Sequence, residues 1–228
     1  RNKTAIEDHF DHSFELEETL AAKGTDGALH LVKDMLHNPG SVFYVRQQQP
    51  AGLGHAVWCA RHLVGSEPVA VLLADDLILG ASCVKEMVDA YKGGNMVAVM
   101  DVPHEQTGSY GIVTPGADDG RIVQVEGLVE KPDPSSAPSN IAVVGRYIIT
   151  PEVFETLAAQ ERGAGGEIQL TDALAKQIGK APFSGVRFSG ERFDCGSKLG
   201  FLQANVAFGL NNNAMRDQLR DWLGERLG

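Results

Sequence analysis

Positive charge is in short supply in this chain: 20 lysines and arginines stand against 30 aspartates and glutamates, for a formal charge of -10 at pH 7. A field of that sign repels a polyphosphate backbone, so nucleic acid is not an expected partner. Any phosphate ligand has to be held locally, by backbone amides, a few lysines or a bridging cation. Cysteine is scarce too. Cys59, Cys83 and Cys195 are odd in number, far apart and without metal-ligand spacing, which argues against a disulfide framework and is read as reduced core thiols in a cytoplasmic protein. Long hydrophobic runs are lacking. The longest, Val69 to Ala74, stops at Asp75 and Asp76, far short of the ~20 residues that cross a bilayer, so no membrane span is expected. There is no Walker loop, no G-x-G-x-x-G fingerprint and no G-x-S-x-G elbow, which disfavours P-loop chemistry, NAD and nucleophilic catalysis. Repeats and low-complexity tracts are absent as well. The chain opens on Arg1-Asn2-Lys3, with neither an initiator methionine nor a signal-peptide pattern, and is expected to be N-terminally incomplete.

What is present suits a globular α/β protein. At 228 residues, 43% hydrophobic and 22% charged, the chain can bury a sizeable core, and one domain over 1–228 is the expectation. Ser13 can cap a helix that carries Leu16 and Leu20 and that Gly24 closes. Val42 to Val45 suits a strand, and His55 to Leu63 a helix. Val69 to Leu73, apolar on both faces, reads as an interior strand. Ser82 caps a helix to about Tyr91, and Met96 to Asp101 is again a strand. This β, α, β succession predicts a mostly parallel, twisted sheet flanked by helices. The middle differs: Tyr110 to Thr114, Arg121 to Lys131 and Ile141 to Ile149 are strand-like runs separated by turns, expected to be antiparallel or mixed. Further elements are a Thr150-Pro151 helix start, a helix over Leu170 to Ile178 and a short strand over Val186 to Phe188. The C-terminal segment, 198–228, reads as helical. Met215, Leu219, Trp222, Leu223 and Leu227 form an apolar stripe there, suited to docking on the domain or on a second subunit.

Four places could carry chemistry. Asp75 and Asp76 follow a buried strand, where ligands sit in open α/β sheets, and could hold Mg²⁺ or simply be a solvated strand end; Asp75 comes first after the apolar run. Asp194, in Asp194-Cys195-Gly196, could bring a second carboxylate to the same edge or serve as a turn former. The segment Gln47 to Gly54, Q-Q-Q-P-A-G-L-G, is either an ordinary connection or a loop whose backbone approaches a planar ligand while Gln47 offers a paired donor and acceptor to a base edge. Glu130-Lys131-Pro132 ends a strand, so its two charges point to opposite faces unless the proline redirects one. In a cleft the pair could bind sugar hydroxyls and a phosphate.

In combination, V-R-Q-Q-Q-P-A-G-L-G-H-A-V, L-L-A-D-D-L-I-L, G-S-Y-G-I-V, V-E-K-P, P-S-N-I-A-V-V-G-R-Y, G-G-E-I-Q-L-T-D-A and F-D-C-G-S-K-L-G resemble the bacterial UTP:glucose-1-phosphate uridylyltransferases of the nucleotidyltransferase family, in order and over nearly the whole chain. The resemblance implies a Rossmann-like nucleotide-diphospho-sugar transferase fold, with a mostly parallel mixed sheet, that converts UTP and glucose 1-phosphate to UDP-glucose and pyrophosphate with Mg²⁺ bound. It implies that Gln47 and the backbone near Gly52 read uracil, that Asp75 and Asp194 hold the metal, and that Gly111 lies in the loop contacting the sugar. It further implies that Glu130 accepts from sugar hydroxyls, that Lys131 meets the sugar phosphate and that Val143 lines the sugar pocket, with Lys131 and Asp75 the catalytic pair. A dimer or tetramer is the expected assembly. The family's Gly-rich, Arg- and Lys-containing first loop has no counterpart among these residues. Two alternatives stay open: a thymidylyltransferase acting on a related sugar 1-phosphate, and a non-catalytic sugar-nucleotide-binding homologue or regulatory subunit.

Overall fold

The computed structural model describes residues 4–228. Alternation along two of its strands builds the fold. In β3 (Asn95–Asp101), Val97 and Val99 face one core while Met96 and Ala98 face another; in β6 (Ile141–Ile149), Val143, Tyr147 and Ile149 go with the first and Val144 and Ile148 with the second. A sheet apolar on both sides must be covered on both sides. The larger core is covered by α4 (Leu53–Cys59), α6 (Pro151–Leu157) and α7 (Leu170–Ala175), and the smaller by α5 (Cys83–Ala90). Ser82 caps α5 as expected, its hydroxyl accepting from the Lys85 N–H at 3.3 Å, a bond of a kind that contributes ~1 kcal/mol.

The remaining strands of the sheet are β1 (Val69–Leu72), β4 (Gly111–Asp118), β5 (Ile122–Glu130) and β7 (Phe183–Arg187), and the order is β1-β6-β3-β7-β5-β4. The mixed α/β class holds, but the expectation of a mostly parallel sheet needs correction. β1, β3, β7 and β4 run in one direction, yet β6 and β5, from the hairpin-like middle of the chain, run the other way between them. Among the described strands of this sheet only β3 and β7 are therefore hydrogen-bonded in parallel. A second correction concerns β1. Among the described residues it pairs with β6 alone and leaves Leu72 half exposed, so there it is an edge strand and not an interior one.

By their contacts the residues form two units, Arg1–Arg46 and Gln47–Gly228, whereas the sequence reading takes 1–228 together. The first contains α1 (Thr4–His9), α2 (Phe14–Ala22) and α3 (Asp26–Asp34), and none of its described residues is buried. Val42 to Val45 form no strand: the β-branched and aromatic side chains are exposed, and among the described residues no neighbouring strand supplies a ladder. In the second unit, β2 (Asp76–Leu79) and β8 (Glu191–Asp194) make a separate antiparallel ribbon. α8 (Lys198–Asn211) packs on that ribbon and contacts α9 (Arg216–Leu227). No helix among the described residues is long and apolar enough to cross a membrane.

Candidate active site

The ribbon of β2 and β8 brings two distant parts of the chain to one place. Asp76 is paired with Asp194, and the N–H of Cys195 donates to the Asp75 carbonyl at 2.8 Å. Gly196 shows how close the flanking carboxylates come. A point one Cβ length from its backbone lies 3.0 Å from Asp194 Oδ1 and 3.4 Å from Asp75 Oδ2, so the two side chains face one another across a residue that carries none. Asp75 is exposed and Asp194 half-buried. Gly196 N–H donates to Asp194 Oδ1 at 3.0 Å and fixes that carboxylate.

Asp76 has a different task. It is 5% exposed, and its carboxylate accepts from Gly145 N–H at 2.6 Å and from Arg192 Nε at 2.6 Å, with Arg192 Nη2 also in contact. Arg192 in turn donates to the Tyr110 hydroxyl at 3.2 Å. Burial opposes the charge on Arg192, but Asp76 and Tyr110 outweigh it and hold the guanidinium above its ordinary pKa. Arg146 clamps the same turn from below: Nη1 donates to the Leu73 carbonyl at 2.9 Å and Nη2 to that of Asp76 at 2.5 Å. Residues 73–76 are thus fixed on both sides of Asp75, while the Asp75 carboxylate is left to face the cleft. A charged-group hydrogen bond of this type contributes roughly 1.5–3 kcal/mol.

The cleft itself, about 330 Å³, is lined by Asp75, Asp194, Gly111, Glu130, Lys131 and Val143, among others. Gly111 and Glu130 are partners across β4 and β5, and a Cβ on Gly111 would come within 3.2 Å of Glu130 Oε2 and of Thr171. The glycine therefore leaves room for a mostly buried carboxylate, 12% exposed. Lys131 departs from strand geometry. Its φ of +46°, in the left-handed region, turns the chain before Pro132, and its N–H donates to the Tyr110 carbonyl at 2.9 Å. That turn brings both charged side chains into one cleft, with Lys131 Nζ 3.8 Å from Glu130 Oε1, where simple alternation would have separated them. Val143 belongs both to the cleft wall and to the larger core. Tyr147 also lines the cleft; burial, then Glu130 and Asp76, push its hydroxyl pKa well up.

Gln47 and Gly52 are beside this cleft and not among its lining residues. Gly52, at φ +106°, lies so close to the backbone of Ile168 that a Cβ would sit 2.7 Å from the Ile168 carbonyl, and the next residue, Leu53, lines the cleft. Gln47 Nε2 donates to the Gly52 carbonyl at 3.0 Å and lies 3.0 Å from His55 Nδ1. Arg192, Tyr110 and Tyr147, which line the cleft, escaped the reading of the sequence, as did Arg146, which holds the turn beside it. Arg192 was findable, since two residues before Asp194 on a strand means the same face; nothing local marks Arg146.

No group of three or more His, Cys, Asp and Glu side chains that could hold a metal occurs among the described residues. Two facing carboxylates nevertheless suit Mg²⁺, which keeps several waters and is commonly bound by one or two carboxylates plus substrate phosphates.

Comparison with known proteins gives a consistent picture. A family model described as nucleotidyl transferase matches residues 11–209. A UTP--glucose-1-phosphate uridylyltransferase of Komagataeibacter xylinus is 48% identical over 98% of this chain and 77% of that protein. One of Bacillus subtilis (strain 168) is 46% identical over 96% of this chain and 76% of its own length. Among solved structures, a UDP-glucose pyrophosphorylase complexed with UDP-glucose superposes with a TM-score of 0.83 at 36% identity, covering 93% of this chain and 79% of that one. A UTP-bound UGPase from Acinetobacter baumannii gives 0.87 at 36% identity, over 98% and 79%.

Proposed function

The chain belongs to the nucleotidyl transferase family, and on that premise we propose that it transfers the uridylyl group of UTP to glucose 1-phosphate, giving UDP-glucose and pyrophosphate. The observation that carries the reading is the cleft in which Asp75 and Asp194 face one another beside the Glu130 carboxylate and the Lys131 amine. An oxygen of the sugar phosphate attacks the α-phosphorus in line; that P–O bond forms as the bond to the β-phosphate oxygen breaks, and pyrophosphate leaves. No covalent enzyme intermediate is required, so the protein contributes alignment and charge neutralisation.

In this reading Glu130 accepts from sugar hydroxyls, and the space above Gly111 admits the ring. Lys131 neutralises the sugar phosphate and holds its attacking oxygen in place. Val143 supplies apolar wall beneath the hexose, and Gln47 with the backbone near Gly52 meets the uracil. Asp75 and Asp194 are the residues that would hold Mg²⁺, which when bound would supply positive charge at the α-phosphate. Three free cysteines support a reducing, cytoplasmic setting, and the exposed Leu199, Phe201 and Leu202 on α8 support self-association as a dimer or tetramer.

Pyrophosphate release from UTP and glucose 1-phosphate, with and without Mg²⁺, tests the proposal. Turnover is expected to need both substrates and the cation, and Asp75→Asn is expected to lower it by about a hundredfold or more. A near-normal rate in that variant would remove Asp75 from the mechanism.

A further inference from the structure

The side-chain amide of Gln47 is held at one end only. Its Nε2 lies 3.0 Å from the Gly52 carbonyl oxygen and 3.0 Å from His55 Nδ1. Flipping the amide would set Oε1 against the Gly52 carbonyl, two acceptors with no proton between them, so Gly52 decides which end is nitrogen. An amide nitrogen can only donate. His55 Nδ1 must therefore accept, which assigns the neutral tautomer with its proton on Nε2, and that atom lies 3.9 Å from Cys59 Sγ, a weak acceptor. The ring is further held against Trp58, at 6.1 Å between centroids and 25° between planes, and the Arg61 guanidinium caps the same indole at 3.6 Å.

Two acceptors thus use both protons of Nε2. Oε1 is left as the polar atom with which Gln47 can meet a ligand, and among the described residues no protein group donates to it. We propose that His55 is a positioning residue that locks Gln47 with its carbonyl oxygen outward and so sets nucleobase selectivity; this rests on the reading of Gln47 as a base-binding residue. A fixed acceptor matches a base whose ring nitrogen carries a proton, as uracil N3 does. It opposes cytosine, whose N3 is itself an acceptor. Without His55 one Nε2 proton has no partner and the amide is held by the Gly52 carbonyl alone, so Oε1 is less firmly aimed and the choice relaxes.

The test compares His55→Ala, His55→Asn and His55→Gln in the full-length protein. Equilibrium binding of UTP is measured by calorimetry, and kcat and KM are taken from pyrophosphate release with UTP and with CTP. His55→Ala is expected to weaken UTP binding about tenfold, the size of one hydrogen bond. It should lower the preference for UTP over CTP by a similar factor and leave kcat and the KM for glucose 1-phosphate within about twofold. Asparagine puts an acceptor near the Nδ1 position and should restore both readouts; glutamine reaches toward Nε2 and should not. If His55→Ala fails to fold, the asparagine and glutamine variants decide by themselves. Unchanged UTP affinity and preference in His55→Ala, equal weakening of both substrates, or rescue by glutamine as good as by asparagine overturns the proposal. Failure of the unaltered protein to bind any uridine nucleotide overturns instead the reading of Gln47 on which it rests.

Discussion

Removing the charge from Arg192 is the sharpest probe of how the cleft is held. In Arg192→Met the side chain keeps its length and apolar stem, but Asp76, 5% exposed, loses the Nε contact at 2.6 Å and its companion from Nη2, and Tyr110 loses its donor at 3.2 Å. Gly145 N–H is still there, at 2.6 Å, yet one neutral donor does not compensate a buried carboxylate. Breaking a buried pair from one side costs about 3–5 kcal/mol, because the surviving charge is left without a partner. Urea unfolding followed by fluorescence is the assay, with midpoint and slope compared between the variant and the unaltered protein. The double variant Asp76→Asn, Arg192→Met should recover a large part of the loss. A deficit under about 1 kcal/mol would refute the assignment of this pair as the main tie of the Asp75 turn.

Three further outcomes follow from named contacts. Lys131→Ala should raise the KM for glucose 1-phosphate by about tenfold or more while leaving UTP affinity unchanged, since a hydrogen bond from a charged group contributes about 1.5–3 kcal/mol; steady-state kinetics with each substrate varied separates the two. Gly111→Ala places a methyl 3.2 Å from Glu130 Oε2, so sugar affinity should fall several-fold with thermal stability little changed, as read by calorimetry and thermal unfolding. Burial pushes the Cys83 thiol up to about 11, so native protein treated with iodoacetamide at pH 8 should stay unmodified at that position by mass spectrometry and react there only after unfolding.

Much of this architecture could be read from pattern. The capping serine of α5, the proline at the first position of α6 and the apolar alternation of β6 are local signals, and each element occurs within a few residues of where it was expected. Strand neighbours are not local. Nothing in the run Ile141–Ile149 says that it lies between β1 and β3, and it is this insertion that makes the pairing mostly antiparallel. Likewise Val42 to Val45 have the composition of a strand but no ladder to join. In the cleft, strand-end position singled out Asp75, and the motif order singled out Glu130, Lys131 and Asp194. The division of labour between Asp75 and Asp76 was hidden, because the group that engages Asp76 is 116 residues away in sequence.

Position 131 also bears on how this protein would respond to selection. A lysine at φ +46° occupies a conformation that glycine or asparagine adopts at lower cost, so heat resistance alone would reward its replacement. On the role proposed for Lys131, turnover would reward keeping the amine. Variant libraries ranked by melting temperature and by product formed should therefore disagree most sharply here, and a stabilised descendant that has drifted to glycine at this one residue would look improved in every assay except the one that matters to the cell.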